Sequence, residues 1–190
     1  MPAASHRGVP LNATAIELAQ QLRDILRERS QRLVLAESCT AGRVAATLAI
    51  LPGMSQWLCG SFVVYRTATK TAWLDVPTRL LDDPSRGPVS ADASRHLARA
   101  ALTRTAEADW AIAVTGDVGP AAPAATDGVI FLAAAARQPL PSADSQCQEQ
   151  RVHLVSPAPG NSEALAARLQ RLEEATEQVL RFALAQLQLP

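Results

Sequence analysis

Ser38 stands between a short apolar run and a helical one. In that position unpaired backbone N–H groups and the positive end of a helix dipole can stabilise a developing oxyanion or hold a phosphate. The serine is therefore either a nucleophile with its oxyanion hole beside it or, together with Thr40, a helix cap. A nucleophilic serine needs a base, and Lys70 is of the residue type that can supply one. A lysine desolvated in a cleft becomes neutral near pH 7, which an arginine does not. Lys70 is the single lysine of the chain, the other seventeen of its eighteen basic residues being arginine. The competing reading is a solvated helix lysine. Tyr65, the only tyrosine, ends a β-rich run shortly before Lys70. It is placed either as a core ring with its hydroxyl at the rim or as a hydrogen-bond partner of the serine and lysine.

Other chemistries find less support. His6 lies in the leader, His96 on a helix surface and His153 in an expected strand, none with an acidic partner in a recognisable triad. Cys39, Cys59 and Cys147 are an odd number without a CxxC pair or Cys/His cluster. Neither a disulfide framework nor a metal site is expected, and a reducing cytoplasm is the expected location. The turn around Ser38 is not GxSxG, and no Walker A or GxGxxG sequence is present. Eighteen basic residues balance eighteen acidic ones, so no global field draws the chain to nucleic acid or an acidic membrane surface. Met1 to Pro10 lacks the apolar segment of a secretory signal, and no apolar run approaches the roughly 18 to 20 residues that span a bilayer.

The elements that must position these groups follow from periodicity and turn chemistry. With 190 residues, 48% of them hydrophobic and 19% charged, one soluble domain is expected. Residues 1–12 form a short leader, and residues 13–190 the domain. Ile16, Leu18, Leu22, Ile25 and Leu26 predict a first amphipathic helix. Arg32 to Ala36 predicts a strand, the run from Arg43 to Leu51 a helix closed by Pro52-Gly53, Ser61 to Tyr65 a strand, and Thr67 to Leu74 a short helix carrying Lys70. Ser90 caps a helix over Ala91 to Thr105. Trp110 to Thr115 reads as a strand buried on both faces, Gly116 to Asp127 as a Gly/Pro/Ala loop, and Val129 to Ala135 as a further strand. Gln138 to Gln150 reads as a surface loop and Arg151 to Val155 as a last strand. Leu165, Leu169, Leu172, Leu180 and Leu187 mark a long final helix, in which Arg171, Glu173, Glu174 and Arg181 read as a solvated face. Alternating strands and helices predict a single three-layer α/β/α domain with a mixed sheet. Ligands of such sheets bind at strand carboxyl ends, after Ala36, Tyr65 and Thr115.

Four blocks in order carry a more specific message: Ala36-Glu37-Ser38-Cys39-Thr40-Ala41-Gly42, Phe62-Val63-Val64-Tyr65 with Lys70, Gly87-Pro88-Val89-Ser90, and Ala113-Val114-Thr115-Gly116 with Gly119-Pro120. From about residue 13 to the end the chain resembles the CinA C-terminal domain family, the nicotinamide-nucleotide amidohydrolases, in their stand-alone form. The first block differs from the family's AESCTGG only at Ala41. The resemblance implies cofactor-independent deamidation of nicotinamide mononucleotide to nicotinate mononucleotide and ammonia. It also implies a small-molecule mononucleotide as the partner and, with the leucine-rich final helix, a homodimer. Carried over by position, Ser38 attacks the carboxamide, Lys70 takes its proton and Tyr65 orients the pair. Glu37, Cys39, Thr40 and Gly42 fall in the substrate-binding turn, where the backbone of residues 39–42 would stabilise the oxyanion. Thr115 and Gly116 match the substrate-lining strand end, and Arg168 falls where an arginine suits the phosphate.

The resemblance is weakest in the loop after Gly119-Pro120. There the family's glycines and Lys-Pro-Val-Gly stretch are replaced by residues 121–128, about two residues shorter and rich in alanine, so backbone approach to a ligand is harder. That difference sustains a second reading, a nucleotide-binding or regulatory module with weakened or absent catalysis.

Overall fold

A computed structural model of the chain describes residues 13–119, 122–137, 147–156 and 164–188. The leader, residues 1–12, lies outside them. Helix α1 (Ala13–Arg29) turns Ala15, Leu18, Ala19, Leu22 and Leu26 inward at helical spacing. Strand β1 (Leu33–Glu37) is buried along its whole length, as an apolar central strand must be. It leads through a turn into α2 (Arg43–Ala49). A 3₁₀ turn over Met54–Gln56 precedes β2 (Leu58–Val63), followed by α3 (Thr67–Leu74), α4 (Thr78–Leu81) and α5 (Ala91–Arg104). Strands β3 (Trp110–Gly116), β4 (Val129–Ala136) and β5 (Cys147–His153) complete the sheet, and α6 (Ala164–Leu187) closes the fold.

The five strands lie in the order β2-β1-β3-β4-β5. β1 pairs parallel with β2 and β3, while β3 with β4 and β4 with β5 pair antiparallel, which is the mixed sheet expected. Strand alternation divides the core in two. Leu33, Leu35, Ile112, Val114, Ile130 and Leu132 face α1, α2 and α6. On the opposite face, Val34 is joined by Ala36, Ala111, Ala113, Ala133 and Ala135. Against this flat surface lies α5, whose own buried face is mostly small: Ala93, Ser94, Ala98 and Ala101 beside Leu97 and Leu102. Eight of the chain's 37 alanines thus serve a close helix-on-sheet contact. Ser90 caps α5 as expected, its hydroxyl accepting from Ala93 N–H at 3.2 Å and donating to the Gly87 carbonyl at 3.0 Å.

Two strands differ in their bounds from expectation. β2 spans Leu58–Val63 instead of residues 61–65, because Val64 N–H turns to the Glu37 carbonyl at 2.8 Å and leaves Tyr65 beyond the strand. β5 spans Cys147–His153, so residues 147–150 of the expected loop are strand. An edge strand with one solvated face needs no apolar run, since its ladder to β4 supplies the pairing. Residues 138–146 of that loop lie outside the described residues. The leucines of α6 are largely spent on the core, Leu180, Leu184 and Leu187 being buried, while Leu165 and Leu169 are exposed. Among the described residues no helix is long and apolar enough to cross a membrane.

Candidate active site

The parallel arrangement brings the carboxyl ends of β1, β2 and β3 to one edge, and between β1 and β3 the chain reverses its direction of travel across the sheet. Such a switch point opens a crevice. Here it is a cavity of about 280 Å³ whose lining includes Ser38, Cys39, Tyr65, Lys70, Thr115 and Arg168.

The turn after β1 is organised by Glu37. Its carboxylate is 1% exposed and accepts from Thr40 Oγ1 at 2.7 Å, Gly42 N–H at 3.0 Å, Val44 N–H at 3.1 Å, Ala45 N–H at 3.0 Å and Ser61 Oγ at 3.1 Å. A carboxylate thus occupies the amino end of α2 and satisfies donors that a ligand would otherwise find. Neither Ser38 nor Thr40 caps the helix: its N-cap is Gly42, with no side-chain cap bond. Gly42 needs its glycine, having φ +93°, and Ala41 before it is held at φ 51°. Glu37, Thr40 and Gly42 therefore build the turn from behind and do not line the cavity.

The backbone of residues 38–42 is correspondingly selective. Ser38 N–H donates to the Val114 carbonyl at 3.0 Å and Ala41 N–H to the Ser38 carbonyl at 3.1 Å. With Gly42 N–H on Glu37, the N–H groups of Cys39 and Thr40 are the ones that meet no carbonyl among the described residues. Cys39 lines the cavity, and its own thiol is pushed up to about 12 by burial. That thiol stays protonated at neutral pH.

Helix α3 delivers Lys70 to the cavity. Arg66 is extended, the helix starts at Thr67, and Lys70 and Leu74 form its buried face. Lys70 is 3% exposed, and its Nζ donates to Ser38 Oγ at 2.9 Å and to the Val64 carbonyl at 3.1 Å. Burial pushes its pKa below the ordinary lysine value of 10.5, against a smaller opposing pull from Cys39. Among the described residues no carboxylate forms a salt bridge with it, so desolvation outweighs the opposing pull. The solvated-lysine reading does not hold.

Tyr65 occupies neither expected environment. It is 53% exposed at the cavity rim, and its hydroxyl accepts from Arg168 Nη2 at 2.9 Å. The other terminal nitrogen of Arg168 donates to the Gly119 carbonyl. One guanidinium on α6 therefore spans the cavity from the β2 side to the β3 side. Thr115 Oγ1 donates to the Pro88 carbonyl at 2.8 Å, holding the Gly87 to Ser90 segment against the end of β3. At Gly116 a Cβ would sit 2.6 Å from Ile130 Cγ2 and 2.7 Å from the Val129 carbonyl. Its glycine is required by packing on β4.

Two features were not singled out in the sequence. Asp117 lines the cavity and accepts from Thr126 Oγ1 at 2.5 Å. Asp127 receives both terminal nitrogens of Arg171, at 2.7 and 3.1 Å. Arg171 is buried, and Glu174 accepts from Val155 N–H and Ser156 N–H at 2.7 and 2.8 Å. This corrects the solvated face expected for α6: two of its charged residues anchor the segments around Gly128 and Ser156. The available signal was two aspartates inside one short loop, after a strand end. Among the described residues no group of His, Cys, Asp and Glu is arranged to hold a metal ion.

Comparison with known proteins agrees with this architecture. A sequence profile of the CinA C-terminal domain matches residues 15–172. A CinA-like protein of Prochlorococcus marinus is 43% identical over 103 residues, 54% of this chain and 23% of that protein. The chain spans about a quarter of the length of the curated relatives it matches. The crystal structure of competence/damage inducible protein CihA from Agrobacterium tumefaciens is 28% identical with a TM-score of 0.73, covering 94% of this chain and 100% of that one. That of a competence or damage-inducible protein from Enterobacter asburiae has a TM-score of 0.76 at 24% identity, covering 93% and 99%, and shares the fold. With the family profile covering most of the chain and the sheet, turn and helices in the same arrangement, this protein belongs to the CinA C-terminal domain family.

Proposed function

We propose that the chain is a serine amidohydrolase that deamidates nicotinamide mononucleotide to nicotinate mononucleotide and ammonia. The observation that carries this is the 2.9 Å hydrogen bond between Lys70 Nζ and Ser38 Oγ, made by a lysine that burial holds below its ordinary pKa. The neutral amine takes the Ser38 proton as Oγ bonds to the carboxamide carbon, and the carbonyl π electrons move to oxygen. Cys39 N–H, next to the nucleophile and without a carbonyl partner, suits that oxyanion. Collapse breaks the C–N bond, and the Lys70 ammonium gives its proton to the leaving nitrogen, releasing ammonia. Water, deprotonated by Lys70, cleaves the resulting ester and regenerates Ser38 with the carboxylate product. The Val64 carbonyl keeps Nζ directed through both half-reactions.

The test is ammonia release from nicotinamide mononucleotide by the protein and its Ser38→Ala and Lys70→Arg variants. Each variant should lose about 10³-fold or more in kcat, arginine because it does not give up its proton at working pH. Absence of turnover in the parent, or full activity in both variants, overturns the proposal. A second reading is favoured by one observation: the alanine-rich stretch of residues 121–128, where backbone approach to a ligand is harder. On that reading the chain is a nucleotide-binding or regulatory module, showing saturable mononucleotide binding without turnover. The homodimer belongs to the same proposal and is read by sedimentation.

A further inference from the structure

Asp117 is the acidic side chain of the cavity that the mechanism does not use. It leaves the sheet directly after β3, two residues beyond Thr115, in a half-buried position. Its backbone is fixed on both sides: Asp117 N–H donates to the Val129 carbonyl at 3.0 Å, and Gly128 N–H donates to the Asp117 carbonyl at 2.8 Å. The side chain is fixed as well, Thr126 Oγ1 donating to Oδ2 at 2.5 Å. The second oxygen, Oδ1, accepts no hydrogen bond among the described residues. A carboxylate held through Oδ2 thus lines the cavity. The negative charge is felt at Cys39, the residue after the nucleophile.

Among the described residues the charged side chains lining this cavity are Asp117, Arg168 and the desolvated Lys70. No ion pair joins Asp117 to Arg168 among the described residues, so neither charge is cancelled by the other there. A ligand bearing only negative charge would meet repulsion from Asp117. A ligand carrying both charges meets an opposite charge for each on the cavity wall.

We propose that Asp117 is a specificity-determining residue that selects carboxamides attached to a positively charged ring, the N-alkylpyridinium class, while Arg168 takes the anionic end of the same molecule. This rests on the amidohydrolase proposal and narrows it: neutral-ring amides of the same shape bind more weakly. Asp117 makes no bond to the reacting atoms and is not a catalytic residue.

The experiment measures calorimetric binding to the Ser38→Ala protein, in which turnover is blocked. The two ligands are nicotinamide mononucleotide and its reduced dihydropyridine form, which keeps the ribose, phosphate and carboxamide but has a neutral ring. A half-buried charge pair should favour the oxidised ligand by about tenfold. Adding Asp117→Asn, which preserves shape and the Thr126 contact, should weaken the oxidised ligand by about tenfold and move the reduced one less than about twofold. Asp117→Ser serves as a second variant, and thermal melts report folding for both. Equal loss for both ligands, or no change in their ratio, overturns the charge selection while leaving the amidohydrolase proposal intact if the parent enzyme releases ammonia. Failure of the Ser38→Ala protein to bind either ligand, with no turnover in the parent, overturns both.

Discussion

Glu37 and Lys70 are both buried ionisable residues at the ends of elements that meet at the same sheet edge, and they are treated in opposite ways. Glu37 has five donors around two oxygens and is closed off from the cavity. Lys70 has two neutral acceptors, no salt bridge to a carboxylate among the described residues, and a place on the cavity wall. A fully partnered charge organises structure, because moving its proton would break several bonds at once. An underpartnered one is ready to lose its proton, because burial has already made the charged form expensive. The two meet at Ser38, which follows Glu37 in the chain and accepts from Lys70 Nζ at 2.9 Å.

The sharpest way to break this contrast is to remove each charge. Lys70→Met should lower kcat by about 10³-fold or more while leaving stability unchanged or raising it by about 1 kcal/mol, since a buried unpaired cation is replaced by an apolar chain of similar length. Ammonia release and urea denaturation on the same preparations separate the two effects. The folded pKa of Lys70 lies below 10.5. Its penalty on folding is therefore fully present below that lowered value and vanishes as pH rises to the unfolded one. The stability advantage of Lys70→Met should shrink across this window, and kcat/KM of the parent should rise with pH through the lowered value.

Glu37→Ala should do the converse, destabilising the fold by about 3 kcal/mol as the amino end of α2, Thr40 and Ser61 lose their acceptor. Denaturant midpoints check it, and a loss under about 1 kcal/mol would place Glu37 outside the scaffold. Asp127→Asn, which leaves Arg171 buried without its carboxylate, should cost about 2 kcal/mol, less than a fully buried pair because Asp127 is partly solvated. Arg171 holds the Asp127 carboxyl below its ordinary 3.8. That contribution is present above about pH 3.8 and is lost as pH falls through the lower folded value, so the parent and Asp127→Asn stability curves should converge in acid. The smallest effect is at Ala41, held at φ 51°. Ala41→Gly should stabilise by about 0.5 to 1 kcal/mol with kcat unchanged, because glycine adopts that conformation without a Cβ penalty.

Legibility differed between elements for physical reasons. Helices α1 and α5 and strands β1 and β3 announced themselves because one period, 3.6 or a continuous apolar run, dominates each. The polar half of β5 did not, since an edge strand takes its pairing from a neighbour. Within the site, the place of Ser38 just beyond β1 and of Lys70 on α3 was readable from local spacing, while the inward face of Lys70 was not, a solvated lysine fitting the same pattern. The partners of Arg168 and Arg171 were not. Both are arginines on one helix among many solvated ones, and what separates them, Tyr65 and Gly119 for one and Asp127 for the other, lies far away along the chain.

By itself the amino-acid sequence determined the alternation of strands and helices, the serine at a strand-to-helix turn and the one lysine able to serve it, because these depend on residue type and short-range period. The tertiary structure alone decided which charges were closed in by partners and which were left on the cavity wall. The number of partners around Glu37, Lys70, Asp117 and Arg171 is set by chains brought together across the sheet, and desolvation exists only once they have met.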